Sequence, residues 1–306
     1  MHRYIAQRLL HLVPVLLSVS ILVFLMIHLV PGDPVQVMLQ DYGSAEQAAQ
    51  LRHALGLDRP LPVQYGIFLR NLARGDLGRS IRTGRPVAAE IALRLPYTLR
   101  LTAASMAVAI ALGLALGTLA AVHHRRLLDY AATASALAGI SLPSFWFGLV
   151  MILIFSYYLR WLPPAGADTA GSLVLPAVTL GTEGASIIAR LCRSSLLEVL
   201  RQEFIRTARA KGAADARVLY RHGLRNALIP MLSIVGLQFA GLLGGAVIVE
   251  SVFGWPGIGR LAVDAIMNRD IPVIQGVVLV AAAIFVAVNL GVDLLYAVAD
   301  PRIRYS

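Results

Sequence analysis

Few residues in this 306-residue chain are of a type and setting that could do chemistry: one lysine, one cysteine, scattered histidines and a single acid inside an otherwise apolar run. The lysine is Lys211, in the segment EFIRTARAKGAADARVLYRHGLRNALIP at 203–230. A phosphate-binding loop needs GxxxxGK[ST], in which the lysine neutralises phosphate charge. Lys211 stands in AKGA, so the chain holds no such loop and is not itself an ATP-driven motor. Cys192, being alone, excludes an internal disulfide and a multi-cysteine metal site. His11 and His28 fall far apart in one apolar run. Met26 and His28 point to different helix faces, so no metal site or haem-ligating pair is read here. The acid is Glu183, and its meaning depends on the elements around it.

Composition sets those elements. Hydrophobic residues make up 58% of the chain, charged residues 14%, and the mean hydropathy is +0.71, well outside the soluble globular range. This is the composition of a membrane protein. The net charge of +10 lies in loops between apolar runs rather than on a polar domain, which excludes a nucleic-acid binder and points to topology instead.

A helix crosses a hydrocarbon core of about 30 Å with roughly 20 residues. Five runs free of Asp, Glu, Lys and Arg meet that length, at 9–30, 101–122, 130–159, 227–249 and 273–292. A sixth, at 172–189, is shorter and contains Glu183. The first run follows Arg3 and Arg8 but is longer than a signal-peptide core and ends in VPGDP, so it is expected to stay attached. Six spans place the richest Lys/Arg loops, including 190–225, on the same side as both termini, which are therefore expected in the cytoplasm. The short loops opposite hold only Arg160, Arg260 and Arg269.

Three segments follow: 1–30 with the first span, an extracytoplasmic loop at 31–100, and a core at 101–306 with spans two to six. In the loop, 45–57 and 64–73 show helical spacing of apolar residues, and GDLGRS at 75–80 supplies glycine punctuation. The longest inside loop, 197–226, reads as two short helices, 203–211 and 213–227, meeting at Gly212. Charge alone would make it an ordinary basic inside loop; the glycine-centred pattern says more.

RTARAKG at 206–212 followed by RHGLRNALIP at 221–230 resembles the cytoplasmic coupling loop of ABC importer permeases of the dipeptide, oligopeptide and nickel group. PGDP (31–34), LGLDRPLPVQY (55–65), GDLGRS (75–80), SLPSFW (141–146), ESVFGWPGIGR (250–260), RDIPVIQG (269–276) and the terminal DPRIRY resemble that group in the same order, and glutathione-type permeases are among the nearest. The resemblance covers the whole chain. It implies an all-α membrane protein of the type I ABC importer permease fold, with six transmembrane helices and a helical extracytoplasmic loop between the first two. It also implies a bacterial inner-membrane location and a non-catalytic role. The implied partners are the lipid bilayer, a second homologous permease, two cytoplasmic ATPases that bind ATP and magnesium, and an extracytoplasmic binding protein. No cofactor is implied in this chain. Arg206, Thr207, Ala208, Arg209, Ala210, Lys211 and Gly212 take the places of the ATPase-coupling motif. Arg206, Thr207 and Ala208 stand where the general pattern has Glu-Ala-Ala, so no glutamate salt bridge to the ATPase is carried over.

Glu183 then reads as a pathway-lining residue, a partner for an arginine of the second permease, or a carboxylate near a span end. Pro143 and Pro176 are expected to kink spans or mark their ends, with Ser141 and Thr179 hydroxyls serving freed carbonyls. The glycines of GLLGGA at 241–246 suit close helix packing, within the chain or against the partner. A secondary transporter would show paired intramembrane charges and inverted repeats, and a proton-pumping or redox subunit a chain of buried ionisable groups; neither is legible, and neither explains the basic loop. The expected cargo is a peptide (a dipeptide, oligopeptide or glutathione), with a nickel complex as the alternative.

Overall fold

The computed structural model describes residues 2–29, 46, 53 and 58–299. Every regular element among them is helical: α1 (His2–Leu29), α2 (Leu61–Ala73), α3 (Val87–Val122), α4 (Leu127–Ser141), α5 (Ser144–Met151), α6 (Val174–Val199), α7 (Glu203–Ala210), α8 (Arg225–Val252), α9 (Ile258–Met267) and α10 (Ile271–Ala299). A π-helical stretch, Ile152–Tyr158, extends α5, and a second, Val218–Leu224, leads into α8. The expected helix at 45–57 lies outside the described residues except at 46 and 53.

Three helical stretches are long and apolar enough to cross a membrane unbroken: Val87–Val122, Ala170–Val199 and Ile271–Val292. Two bent pairs bring the number to five among the described residues, and the first helix adds a shorter apolar stretch, Leu12–Met26. The run expected as one span at 130–159 is instead broken: Leu127–Ser141 and Ser144–Tyr158 meet at 107°. Pro143 is the cause. It forces Leu142 into an extended conformation (φ −85°, ψ 126°), supplies no backbone N–H, and starts the next helix. The Ser141 hydroxyl bonds the Leu137 carbonyl, four residues back within its own helix, and not the Gly139 carbonyl that Pro143 leaves without an N–H. Thr179 serves no freed carbonyl either: its hydroxyl is buried and has no hydrogen-bond partner among the described residues. Pro176 sits within the first turn of α6, where a missing N–H costs nothing.

The described residues form two compact units, one within Met1–Pro96 and Gly257–Val286, the other within Tyr97–Pro256 and Ala287–Ser306. In the first, α2 packs on α1 through Phe24, Tyr65 and Phe68, with the Tyr65 and Ser20 hydroxyls 2.8 Å apart. Val87, Ile91, Ile258, Leu261, Ala265, Val273 and Val277 make its core. Gly276 allows the start of α10 to lie against that of α3, since a Cβ there would stand 2.5 Å from Val87 Cγ1. Asp270 fastens the 80–83 turn by accepting from the Ser80 hydroxyl and the Ile81 backbone N–H.

In the second unit α6 is the central helix, packed by α4, α5 and α8. Its buried face contributes Leu175, Leu180, Ile188 and Cys192 to a core completed by Leu101, Met231, Val249 and Phe253. Small residues bring α3 close: a Cβ on Gly117 would lie 2.5 Å from the Ala189 carbonyl oxygen, and one on Gly181 would lie 2.6 Å from that of Ser105. This is the packing expected where helices associate without a hydrophobic drive between them.

Candidate coupling segment and intramembrane charges

Helix α7 is built to stand out from the chain. Glu203 in its first turn and Arg209 in its last complement the helix dipole. Ile205 alone is fully buried and anchors it. The helix ends in a glycine cap: the Gly212 N–H bonds the Arg209 carbonyl at 2.9 Å, the Ala213 N–H bonds the Ala208 carbonyl at 3.1 Å, and Gly212 takes φ +78°. That left-handed conformation turns the chain sharply and is open to glycine without strain.

The residues singled out in the sequence are therefore brought together on one exposed turn. Arg206 pairs with Glu203 at 2.9 Å, the Thr207 hydroxyl bonds the Glu203 carbonyl, and Arg209 lies 3.8 Å from Asp215. Ala210 and Lys211 are exposed, and Ala208 is half-buried. Thr207, Ala208, Lys211 and Gly212, with Phe204, Ala213, Arg217 and His222, line an open cleft of about 460 Å³. The second element differs from the short helix expected at 213–227. Asp215–Arg217, the π-helical stretch and α8 follow one another without a break, so the chain after the α7 turn enters one continuous helical stretch.

Glu183 lies in α6, away from the ends of that helix, and is exposed, as is Arg190 on the same helix. The reading of Glu183 as a helix-end carboxylate is thus set aside: nine residues of α6 precede it and sixteen follow. Gly241 and Gly244 of α8 have open space where a Cβ would be, so they do not serve helix packing within the described chain. Asn289 is half-buried on α10, and the Asp293 side chain lies outside the described ones. No group of three metal-ligating side chains occurs among the described residues.

Two buried polar sites escaped the sequence reading. Asp129 accepts from Arg193 Nε and Nη2 at 2.7 and 2.8 Å and from the Arg125 N–H at 2.9 Å, with His124 at 3.3 Å. Glu250, wholly buried, accepts from the Thr98 hydroxyl at 2.6 Å, and nearby Trp255 donates to the Tyr97 carbonyl. Both acids stand one residue beyond an apolar run, at 130–159 and 227–249. Asp129 leaves no other trace in sequence, whereas Glu250 also opens the ESVFGWPGIGR motif.

The model for the binding-protein-dependent transport system inner membrane component matches residues 113–305, and the model for the N-terminal part of such membrane components matches residues 1–102. The chain belongs to this family. Its relatives include the glutathione transport system permease protein GsiC of Pectobacterium atrosepticum, 48% identical over 306 residues, and that of Salmonella choleraesuis, 47% identical; each comparison covers 100% of both chains. The fold is shared with a chain of the inward-facing MetNI methionine ABC transporter, at TM-score 0.59 and 19% identity over 69% of this chain and 96% of that one. A chain of an amino acid ABC transporter solved with histidines matches at TM-score 0.51 and 18% identity, over 70% and 94%. These likenesses establish the type I ABC importer permease fold, and the family makes the chain a multi-pass component of the inner membrane.

Proposed function

We propose that this permease carries small peptides, glutathione or peptides of similar size, forming half of a translocation pathway whose other half is a second homologous permease. The observation that carries this reading is end-to-end similarity, at 46–48% identity, to permeases named for glutathione transport. Six spans with both termini in the cytoplasm and residues 31–100 outside fit the distribution of Lys and Arg. An extracytoplasmic binding protein delivers the peptide, and two cytoplasmic ATPases, binding ATP and magnesium, supply the energy.

Residues 206–212 are the coupling contact. Their support is physical: a capped, exposed turn adjoining a cleft of suitable size and joined without a break to a long helix can transmit a rigid-body displacement. Glu183 lines the pathway, because an exposed carboxylate within a span is costly against lipid and tolerable against water. Gly241 and Gly244 offer the second permease a smooth helix face. The test is reconstitution. The chain purified alone should neither bind nor hydrolyse ATP, whereas the full assembly in proteoliposomes should take up glutathione with ATP hydrolysis stimulated by loaded binding protein. Stoichiometric ATP binding by the isolated chain would defeat the assignment.

A further inference from the structure

The cleft beside the α7 turn carries positive charge that the chain itself leaves unanswered. Three of its lining residues are basic, Lys211, Arg217 and His222, and none is acidic. The Lys211 ammonium, the Arg217 guanidinium and the His222 ring have no hydrogen-bond or ion-pair partner among the described residues. The acids on either side of the turn are engaged elsewhere, Glu203 with Arg206 at 2.9 Å and Asp215 with Arg209 at 3.8 Å. Two backbone features gather the three basic groups. The left-handed turn at Gly212 lets the π-helical stretch pack against α7. An α-helical turn would set positions 217 and 222 about 140° apart around its axis. The i→i+5 bonding of a π-turn stacks residues five apart instead, and Arg217 and His222 both line the cleft. Turns of this kind are rare and gather at functional sites.

Cations held together repel, so such a cleft favours an anion. Its volume of about 460 Å³ has room for a side chain, and Phe204, Ala208 and Ala213 add apolar surface beside the charges. We propose that the cleft receives a glutamate or aspartate side chain of the cytoplasmic ATPase. Arg217 holds the carboxylate through two parallel N–H bonds, Lys211 adds a point charge from the turn, and His222 donates a ring N–H from the more buried side. Phe204 and Ala208 cover the methylene groups of the acid. The inference rests on the coupling reading above and adds the chemistry of the contact: the permease supplies the cations and the ATPase the carboxylate. Because the fork belongs to Arg217, loss of Lys211 alone is mild.

Lys211 is the only lysine of the chain, which makes the test selective. A carbodiimide joins an amine to a carboxylate with no spacer between them. In the complete assembly it should link Lys211 to an aspartate or glutamate of the ATPase, identified by mass spectrometry of the joined peptides, and Lys211→Arg should lose that product. Arg217→Gln should lower both its yield and ATPase co-purification about tenfold, because truncating one partner of a hydrogen-bonded charge pair speeds dissociation. Arg217→Lys should fall between, keeping the charge and losing the fork. Should Arg217→Gln fail to accumulate, the Lys211 product in wild type decides. Ala210→Cys in a Cys192→Ala background, carrying a maleimide photo-cross-linker, reports separately whether the exposed α7 turn touches the ATPase. Capture of the ATPase from Ala210→Cys with no Lys211–carboxylate product, or with unchanged co-purification in Arg217→Gln, would overturn the cleft and leave the coupling reading standing. Loss of transport in Arg217→Gln only in vesicles containing phosphatidylglycerol, with co-purification unchanged, would make the cleft a lipid-phosphate site and equally overturn the proposal. No capture from Ala210→Cys would overturn the coupling reading and the cleft with it.

Discussion

Arg193 of α6 lays two guanidinium nitrogens, at 2.7 and 2.8 Å, on the carboxylate of Asp129 at the start of α4. The fork is bidentate and Asp129 is almost wholly buried, so the pair fixes the register of the two helices as well as neutralising both charges. Removing one partner of such a buried pair typically costs about 3–5 kcal/mol, because the other charge is left uncompensated. Asp129→Asn and Arg193→Gln should each lower the thermal midpoint of the detergent-purified complex by several degrees. Arg193→Lys should fall between, since it keeps the charge and loses the fork. A midpoint within a degree of wild type in Asp129→Asn would mean the pair is incidental.

Gly212 provides a sharper test of the coupling segment. With φ +78° and nothing within 4 Å of the position a Cβ would take, the only obstacle to a side chain is the backbone conformation itself. Asparagine visits that region readily, whereas for ordinary L-residues it costs about 1–2 kcal/mol and for β-branched ones more. Gly212→Asn should therefore keep near-normal uptake, Gly212→Ala should reduce it several-fold, and Gly212→Val should abolish it and weaken co-purification of the ATPases at matched membrane expression. Normal assembly and uptake in Gly212→Val would reduce residues 203–230 to a basic inside loop. Lys211→Ala should have a mild effect, because Lys211 holds no ion pair among the described residues.

The glycines separate packing within the chain from packing between chains. Gly181→Ala would press a methyl group to 2.6 Å from the Ser105 carbonyl oxygen, a clash with backbone that cannot swing away. Overpacking of this kind costs about 1–3 kcal/mol, so the variant should accumulate poorly in membranes. Gly241→Leu meets open space in the chain itself and should insert normally. Its effect should appear as loss of pull-down with the second permease. Normal pairing in Gly241→Leu would remove α8 from that interface.

What the sequence disclosed and what it hid divide along a physical line. Apolar runs are local, and among the described residues each of the six falls largely on helix, the run at 130–159 on two helices with a break at 142–143; the segment at 64–73 lies inside α2. The ends of those runs were misleading because a charge ends a run in sequence without ending a helix in space. Val87–Val122 begins fourteen residues before its apolar run, and α8 runs past Glu250 because that carboxylate meets Thr98, 152 positions away. The same holds for Asp129 and Arg193, 64 apart, and for Ser80 and Asp270, 190 apart. Gly212 was legible because its turn is closed by bonds within six residues. Pro143 announced a break but not its angle, 107°.

That bend makes topology the prediction with most at stake, because a helix pair broken at 107° can be one span or a loop that returns to the side it left. With six spans, Arg74 and Asp168 lie outside and Ala214 inside. If the pair formed by Leu127–Ser141 and Ser144–Tyr158 were re-entrant, α6 would run the other way and Asp168 and Ala214 would exchange sides. All three positions are exposed, and Cys192 is wholly buried, so single cysteines in a Cys192→Ala background give clean readouts. A membrane-impermeant maleimide should label Arg74→Cys and Asp168→Cys in intact spheroplasts and Ala214→Cys only in everted vesicles. The exchanged pattern for Asp168 and Ala214 would show a re-entrant pair. It would then move the 206–212 turn to the outside face, out of reach of any cytoplasmic ATPase, so the topology and the coupling role stand or fall on the same labels.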